Sequence, residues 1–202
     1  MTCAPDCALA VTTQASERAY RAQPGEIGRI DTTLTINGNG RLNWLPQETL
    51  LYHGAALHRR TRIEMDAASR LLWIEPIIFG RRAMGETVRD LRFRDHIDLY
   101  RDGELVFSDR TRITGNAAEI LGKMATGNGA TAMLSLICAA PGAEQYLDAA
   151  RRLLPETGGV TMPCRDLIHA RLLAPDGFDL RRMLFPLLHV FRDAPLPRTW
   201  MI

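Results

Sequence analysis

Lysine is almost absent from this chain of 202 residues, since Lys123 is the only lysine among 25 basic residues. Acidic residues number 23, so the formal net charge is only +2. A nucleic-acid-binding protein usually carries a basic patch or stripe well beyond that value. Arginine offers planar, bidentate contacts to carboxylates. The charge balance therefore predicts protein partners and no nucleic acid.

Long hydrophobic runs are also missing. The longest candidate, residues 130–140, is interrupted by Thr131 and Ser135 and is too short for a transmembrane helix. Residues 1–10 lack the basic and continuously apolar regions of a signal peptide. These two absences predict no membrane association and a cytoplasmic location.

Motifs for tight metal binding are not found. The four cysteines form no CxxC pair, and Cys3 and Cys7, which could chelate a soft metal, are better explained as reduced thiols. The five histidines form neither HxH nor HExxH. No stably bound cofactor is expected.

The usual catalytic motifs are missing too: GxSxG, a phosphate-binding GxxxxGK[ST] loop, and GxGxxG after a strand. Glu75 and Glu86 could share a pocket as an acid–base pair. Two glutamates at such a spacing occur in almost any chain, so a small β-rich hydrolase remains only an alternative.

Alternating patterns between Ile30 and Ile113 predict β-structure. Residues 37–40, Asn-Gly-Asn-Gly, predict a hairpin turn, and residues 101–103 predict a second hairpin. Residues 57–65 place Arg59 on the more apolar of two faces. Residues 70–79 predict a buried strand with a bulge or bend at Glu75-Pro76.

Helices are predicted mainly toward the C-terminus, around two further strands at 134–139 and 166–173. Asn116 can cap a short helix that runs to Ala125, and residues 142–154 form an amphipathic helix. Asp176 caps a closing helix that runs to Asp193 and bends near Pro186. Residues 194–200 are predicted to be an extended tail. The expected fold is one mainly-β domain, residues 1–202, with peripheral helices.

Two polar segments stand out. In residues 73–86, Arg81 or Arg82 can pair with Glu75 or Glu86, or the same groups can line a partner surface or an internal polar passage. In residues 45–49, the amide of Gln47 and the carboxylate of Glu48 can either hold a loop in place or face a partner protein. Both interpretations remain open for both segments.

These segments resemble the UreD (UreH) family of urease accessory proteins. The similar stretches follow in order from Ala8 to Trp200 and are 11–15 with 20–21, 42–49, 80–81 with 84–86, 100–103, 191–192 and 197–200. Each motif is modest alone, but their order is quite specific.

The resemblance implies a mainly-β fold, a layered, β-helix-like stack of antiparallel and mixed strands with a few peripheral α-helices. It also implies a non-enzymatic scaffold for urease maturation. Members bind apo-urease and a helical accessory protein (UreF-like), which recruits a nickel-carrying GTPase (UreG-like). Nickel passes in transit along a polar interior route to the urease active site.

The acids in the matched motifs, Glu48, Glu75 and Glu86, are the expected transit residues. Single carboxylates suit a conduit, because a conduit must not hold its ion as tightly as a closed His/Cys site. Arg81, Arg198 and Trp200 are the expected partner contacts, since exposed arginine and tryptophan often anchor interfaces. Alternatively, Trp200 packs back into the core.

One departure from the family pattern concerns the N-terminus. In the family, the Val-Thr-Thr-Gln motif normally follows several strands and a glycine-rich G-G-x-V-G-G-D segment, whereas here it starts at Val11. Either the start is misplaced or the domain is N-terminally shortened. Missing strands should leave sheet edges open, which predicts poor solubility of the chain alone. A truncated or degenerate member without function is a further alternative.

Overall fold

A computed structural model describes residues 1–201 of the chain. It contains thirteen strands: β1 Thr2–Cys3, β2 Ala8–Val11, β3 Glu17–Ala19, β4 Gly28–Ile36, β5 Arg41–Trp44, β6 Thr49–Leu51, β7 Ala55–Met65, β8 Arg70–Phe79, β9 Leu91–Arg101, β10 Glu104–Gly115, β11 Ala132–Ala139, β12 Gly158–Cys164 and β13 Leu167–Ala174. The α-helices are α1 Ala117–Gly122, α2 Leu147–Leu153 and α3 Gly177–Phe191. Short 3-10 turns cover Arg82–Met84, Ala143–Tyr146 and Arg198–Trp200.

The strands form two sheets. The outer sheet has the order β1-β4-β7-β9-β10, and the central sheet has the order β12-β13-β11-β8-β5-β2, with β6 and β3 continuing beyond β5 along the same edge of β8. From β4 to β9 the chain alternates between the sheets, with β5 and β6 together making one pass along the central sheet. Because each strand in one sheet follows a return through the other, neighbours such as β4, β7 and β9 run parallel. This alternation gives the predicted β-helix-like stack.

Three layers result from this arrangement. Helices α2 and α3 pack against one face of the central sheet, where Leu134, Leu136 and Ile168 meet Leu184 and Leu187 of α3. The short helix α1 packs on the other side of this sheet. The other face of the central sheet packs against the outer sheet. The mainly-β fold with a few helices near the C-terminus is therefore confirmed. No helix within residues 1–201 is both long and apolar enough to cross a bilayer.

Two apolar clusters fill the space between the sheets. One contains Ile63, Trp73 and Ile137, and the other contains Phe79 and Phe93. The long strands β7, β8, β9 and β11 contribute inward side chains to both clusters, at different heights along each strand. The positions at the height between the clusters carry polar side chains, and these form the candidate site.

One of the two predicted hairpins is confirmed and the other is wrong. Asp102 and Gly103 both have positive φ, as a two-residue turn between β9 and β10 requires. The Asn-Gly-Asn-Gly segment also turns, but it connects β4 of the outer sheet to β5 of the central sheet, which do not pair. It is a crossover between layers, so the hairpin prediction fails there.

The predicted bulge at Glu75-Pro76 is also wrong, because β8 keeps one continuous register with β11 through these residues. On its other edge, β8 pairs with β5 up to Trp73 and with β6 from Ile77. Pro76 thus lies where this edge changes partner, and its missing N–H removes no hydrogen bond of a central ladder.

Two of the three predicted helices begin where expected and end elsewhere, whereas the helix predicted over 142–154 is a 3-10 turn, Ala143–Tyr146, followed by α2 from Leu147 to Leu153. The side chain of Asn116 accepts a hydrogen bond from Glu119 N, and Asp176 caps Asp179 in the same way. The first of these helices ends at Gly122 and the last ends at Phe191, past Pro186. The glycine-rich strand β12 was not predicted.

Candidate functional site

A buried ion cluster joins the two sheets at the height between the apolar clusters. Arg59 of β7 donates through Nη1 to Glu75 Oε2 of β8 at 2.5 Å, and its Nε and Nη2 bind both oxygens of Asp95 on β9 at 3.0 and 2.6 Å. Nη1 also reaches the Thr49 hydroxyl at 3.2 Å. The side chains of the three charged residues are at most 7% exposed. Two carboxylates therefore share one guanidinium in the interior.

The electrostatics of this cluster favour a proton on one of its acids. Burial raises the pKa of Glu75 to about 7, because lost hydration and the charge of Asp95 together outweigh the attraction of Arg59. The two carboxylates raise the pKa of Arg59 despite its burial, so the guanidinium stays charged. With every group ionised the cluster carries a net charge of −1.

The polar row continues across the central sheet. Ser135 of β11 is the cross-strand neighbour of Glu75, and Arg171 of β13 is the next neighbour along the row. Arg171 donates to the Ser135 hydroxyl at 2.9 Å and pairs with Asp109 on β10 of the outer sheet. The inter-sheet polar layer, as we name it, consists of Thr49, Arg59, Glu75, Asp95, Asp109, Ser135 and Arg171.

Buried polar atoms without a protein partner border this layer. Among residues 1–201 they are Trp44 Nε1, Trp73 Nε1, His169 Nε2 and Arg171 Nε. Burial lowers the pKa of His169, which packs on Phe107 with ring centroids 4.9 Å apart. Buried polar groups normally form hydrogen bonds to protein or to ordered water. Several unpaired polar atoms in one region therefore indicate a polar interior and not an ordinary hydrophobic core.

Glu48 lies at one border of the layer, next to Thr49 in the chain. Its carboxylate accepts from Arg181 Nη1 at 3.3 Å, and Arg181 also binds Gln47 Oε1 and the carbonyl of Trp200. The segment 45–49 thus holds α3 and the C-terminal turn against the central sheet. Glu48 thus adjoins the layer along the chain through Thr49, whereas its carboxylate pairs with α3 on the other side of the central sheet.

Glu86 lies apart from both of these acids, in the loop after β8. It accepts from Arg81 Nε at 3.0 Å and from the backbone N–H groups of Arg81 and His53. Although partial burial opposes ionisation, these bonds hold the pKa of Glu86 below its ordinary value. The predicted Arg81–Glu86 pair is confirmed. Glu75 and Glu86 thus have separate partners, which does not support an acid–base pair.

Arg81 is half exposed and lies over the ring of Tyr52, 4.5 Å from its centroid. Tyr52 in turn packs edge-on against Tyr20. Close by, Met84 and Phe178 line one pocket and are both more than three-quarters exposed. The loop of Arg81 therefore combines a fixed cation with exposed apolar side chains.

Trp200 is not an exposed anchor. It is 1% exposed, and its indole N–H donates to Leu45 O at 2.9 Å. Arg181 and Phe185 of α3 cover its ring. The alternative in which this side chain packs into the core is correct, because a large aromatic ring with a satisfied N–H is stable there. Arg198, two residues earlier, is exposed.

The structure contains no grouping of three or more His, Cys, Asp or Glu side chains suited to a metal ion in residues 1–201. All four cysteines are free, and burial raises the pKa of the Cys138 thiol to about 12. Cys3 is buried against the carbonyl of Cys7. Asp95, Asp109 and Arg171 of the polar layer were not singled out from the sequence. The one signal for this layer in the sequence was the alternating pattern of residues 57–65, which places Arg59 on the inward face.

Comparison with known proteins agrees with this architecture. The family model described as "UreD urease accessory protein" matches residues 1–201. The urease accessory protein UreD of Ruegeria pomeroyi is 46% identical over 96% of this chain and 76% of its own length. That of Roseobacter denitrificans is 45% identical over 96% and 71%. That of Rhizobium etli is 38% identical over 94% and 70%. This chain therefore belongs to the UreD family of urease accessory proteins.

Proposed function

We propose that this protein is a scaffold for urease maturation, which binds apo-urease and other accessory proteins and delivers nickel to the urease active site. The observation that carries the proposal is the family match across residues 1–201. The partners are apo-urease, a helical UreF-like protein and, indirectly, a nickel-carrying UreG-like GTPase. The scaffold performs no catalytic step of its own.

The inter-sheet polar layer supports a nickel route through the protein. It offers carboxylate and hydroxyl oxygens from Thr49, Glu75, Asp95 and Ser135, and these ligands let a divalent ion exchange more readily than imidazole or thiolate does. With Glu75 ionised, the layer has one more acid than it has arginines, and this negative charge favours cation entry. Glu48, beside Thr49 at the border, is 16% exposed and can receive an ion from one side.

This route is tested by nickel content. The substitutions Glu48→Gln, Glu75→Gln and Glu86→Gln are made singly, with Glu144→Gln, at an exposed position after β11, as the control. Each variant replaces the native scaffold in a urease-producing cell, and nickel per purified urease is measured beside copurification of urease with the scaffold. The route through the layer predicts less nickel with Glu48→Gln and Glu75→Gln at unchanged copurification. Full nickel content in both variants would refute it.

Glu86 makes a separate prediction within this experiment. It lies outside the polar layer and binds Arg81, so a nickel deficit in Glu86→Gln accompanied by weaker copurification would indicate a role in partner binding. A deficit at unchanged copurification would instead indicate a transit role for Glu86.

Arg81 and Arg198 are the proposed contacts for the helical partner. Both are exposed, and their backbones are fixed, Arg81 by Glu86 and Arg198 by the buried Trp200 close behind it. Arg81→Ala and Arg198→Ala should reduce copurification with the helical partner, whereas Arg165→Ala, at a side chain that is 91% exposed, should not. Equal copurification of all three variants would refute these contacts.

A degenerate family member without function is the competing proposal. Complementation of a strain that lacks its own scaffold separates the two, because only a working scaffold restores urease activity. The experiment needs no knowledge of the nickel route.

A further inference from the structure

The exposed face of the outer sheet has a concentrated positive charge. Outward positions of its strands carry seven arginines and three acids: Arg29, Arg60, Arg62, Arg92, Arg94, Arg110 and Arg112 with Asp31, Glu64 and Asp98. With both histidines of this face neutral, its net charge is +4, whereas the whole chain carries +2. The remainder of the protein is therefore net −2, so the charge is segregated and not merely abundant.

One row across the four long strands contains three arginines and one histidine and no acid. In register, Arg29 of β4 is beside His58 of β7, His58 is beside Arg94 of β9, and Arg94 is beside Arg112 of β10. Neighbouring strands lie about 4.8 Å apart, so the row extends over roughly 14 Å. Like charges placed directly opposite each other on strands destabilise a sheet. Arg94 and Arg112 are such a pair, so the fold bears a cost at this row that its packing does not explain.

The arginines of this row lack acidic partners. Arg62 and Arg110 elsewhere on the face pair with Glu64 and Asp98, but no carboxylate of residues 1–201 is within ion-pair distance of Arg29, Arg94 or Arg112. These three side chains are exposed. Partial burial and the adjacent charges of Arg94 and Arg29 lower the pKa of His58, in keeping with a strongly positive surface.

We propose that this face, centred on Arg29, His58, Arg94 and Arg112, is a docking surface for an acidic protein segment that presents a row of aspartate or glutamate side chains. Guanidinium groups bind carboxylates through paired N–H donors, which matches an array of carboxylates. The surface is distinct from the nickel route, because its positive charge repels a divalent cation. The proposal therefore does not depend on the proposed function.

An acidic protein fits this face better than a nucleic acid does. Asp31 lies in the adjacent row, two residues from Arg29 on β4, and its charge would repel a continuous phosphate backbone, whereas separate carboxylates can bind beside it. Tyr100 is the one aromatic residue at the outward positions of β4, β7, β9 and β10, and Arg62 lies 3.9 Å above its ring centroid. It is therefore not free to stack on a base.

The test measures binding of a fluorescently labelled oligoglutamate peptide to the full chain by anisotropy. An oligoglutamine peptide of equal length and an oligothymidylate are compared under the same conditions. The double variant Arg94→Gln/Arg112→Gln should weaken oligoglutamate binding by about tenfold or more. The control Arg152→Gln/Arg165→Gln removes the same charge from exposed positions outside the face and should leave binding unchanged.

A variant that is expected to bind oligoglutamate more tightly provides a second test. Asp31→Asn removes an exposed acid beside the row and should tighten oligoglutamate binding, which an unfolded or damaged variant would not do. Equal weakening by both double variants, equal binding of oligoglutamine, or no gain with Asp31→Asn would overturn the proposal. Tighter binding of oligothymidylate than of oligoglutamate would overturn it in favour of nucleic acid.

Discussion

The guanidinium of Arg59 on one sheet lies 2.5 Å from the carboxylate of Glu75 on the other, and Asp95 binds the same guanidinium from its other side. This contact ties the two sheets together within the inter-sheet polar layer. Its charges are unequal, since two acids share one base. The first two predictions follow from that inequality.

Removal of Arg59 should cost much more stability than removal of Glu75. Arg59→Met leaves two buried carboxylates without a counter-charge, and an uncompensated buried charge costs about 3–5 kcal/mol. Glu75→Gln leaves a one-to-one pair of Arg59 with Asp95 and should cost far less. Urea unfolding measures both, and Arg62→Met, at an exposed pair with Glu64, is the control with a loss below about 1 kcal/mol. Equal losses at Arg59 and Arg62 would contradict the buried cluster.

Stability should depend on pH through Glu75. Its pKa in the folded state is about 7, above the ordinary value of 4.5, so between these pH values the folded protein keeps a proton that the unfolded chain releases. This contribution is fully present below about pH 4.5 and is lost as the pH rises through 7. The full effect is on the order of 3 kcal/mol.

The comparison that isolates Glu75 is between the wild type and Glu75→Gln. His58 and His169, whose pKa values are lowered, act in the opposite direction over part of this range, but both proteins contain them. The difference in unfolding free energy should shift in favour of Glu75→Gln as the pH rises from 5 to 8. A difference that is independent of pH would show that Glu75 titrates normally.

Trp200 should be a major stabilising residue even though it is near the end of the chain. Trp200→Ala removes a buried ring and leaves the Leu45 carbonyl without its indole donor, so we expect a loss of about 3–5 kcal/mol. Phe178→Ala, at an aromatic residue that is 78% exposed, should change stability by less than about 0.5 kcal/mol. Thermal or urea unfolding that found the two variants alike would place Trp200 outside the core.

The start of the Arg81 loop requires glycine at position 80. Gly80 has a φ of +79°, and a Cβ there would lie 2.8 Å from Val88 Cγ2. Gly85 has a φ of +70° with open space around it, so Gly85→Ala adds backbone strain alone. Gly80→Ala should therefore cost more, within about 1–3 kcal/mol, and Val88→Ala should recover part of the difference. Lack of recovery in the double variant would show that backbone strain alone is responsible.

Short-range features of this fold could be predicted from the sequence. The Asp102-Gly103 turn, the Asn116 cap and the Asp176 cap depend on residues within a few positions of each other, and all three are confirmed. The turn after β4 was misjudged because its local chemistry is right, whereas the sheet of the next strand is decided by the stacking of layers. Strand β12 was missed because Gly158 and Gly159 carry no periodic signal.

The candidate site could also be predicted from the sequence only in its local features. Alternation along β7 predicts that Arg59 points inward, but the identity of its partners depends on which strands face each other across the sheets. Glu75 and Asp95 are 16 and 36 residues away. Trp200 and Leu45 are 155 residues apart, so no local pattern could decide between an exposed and a buried indole.

The inter-sheet polar layer separates the space between the sheets into two hydrophobic compartments, and this has a consequence for how the protein tolerates change. Ile63 belongs to one compartment and Phe93 to the other, although β7 and β9 each cross both. Substitutions in separate compartments share no packing partners, so their energetic effects should simply add. Each compartment can therefore be redesigned, or can change in sequence, without a compensating change in the other. The inter-sheet polar layer between them cannot change in this way, because its charged side chains depend on one another.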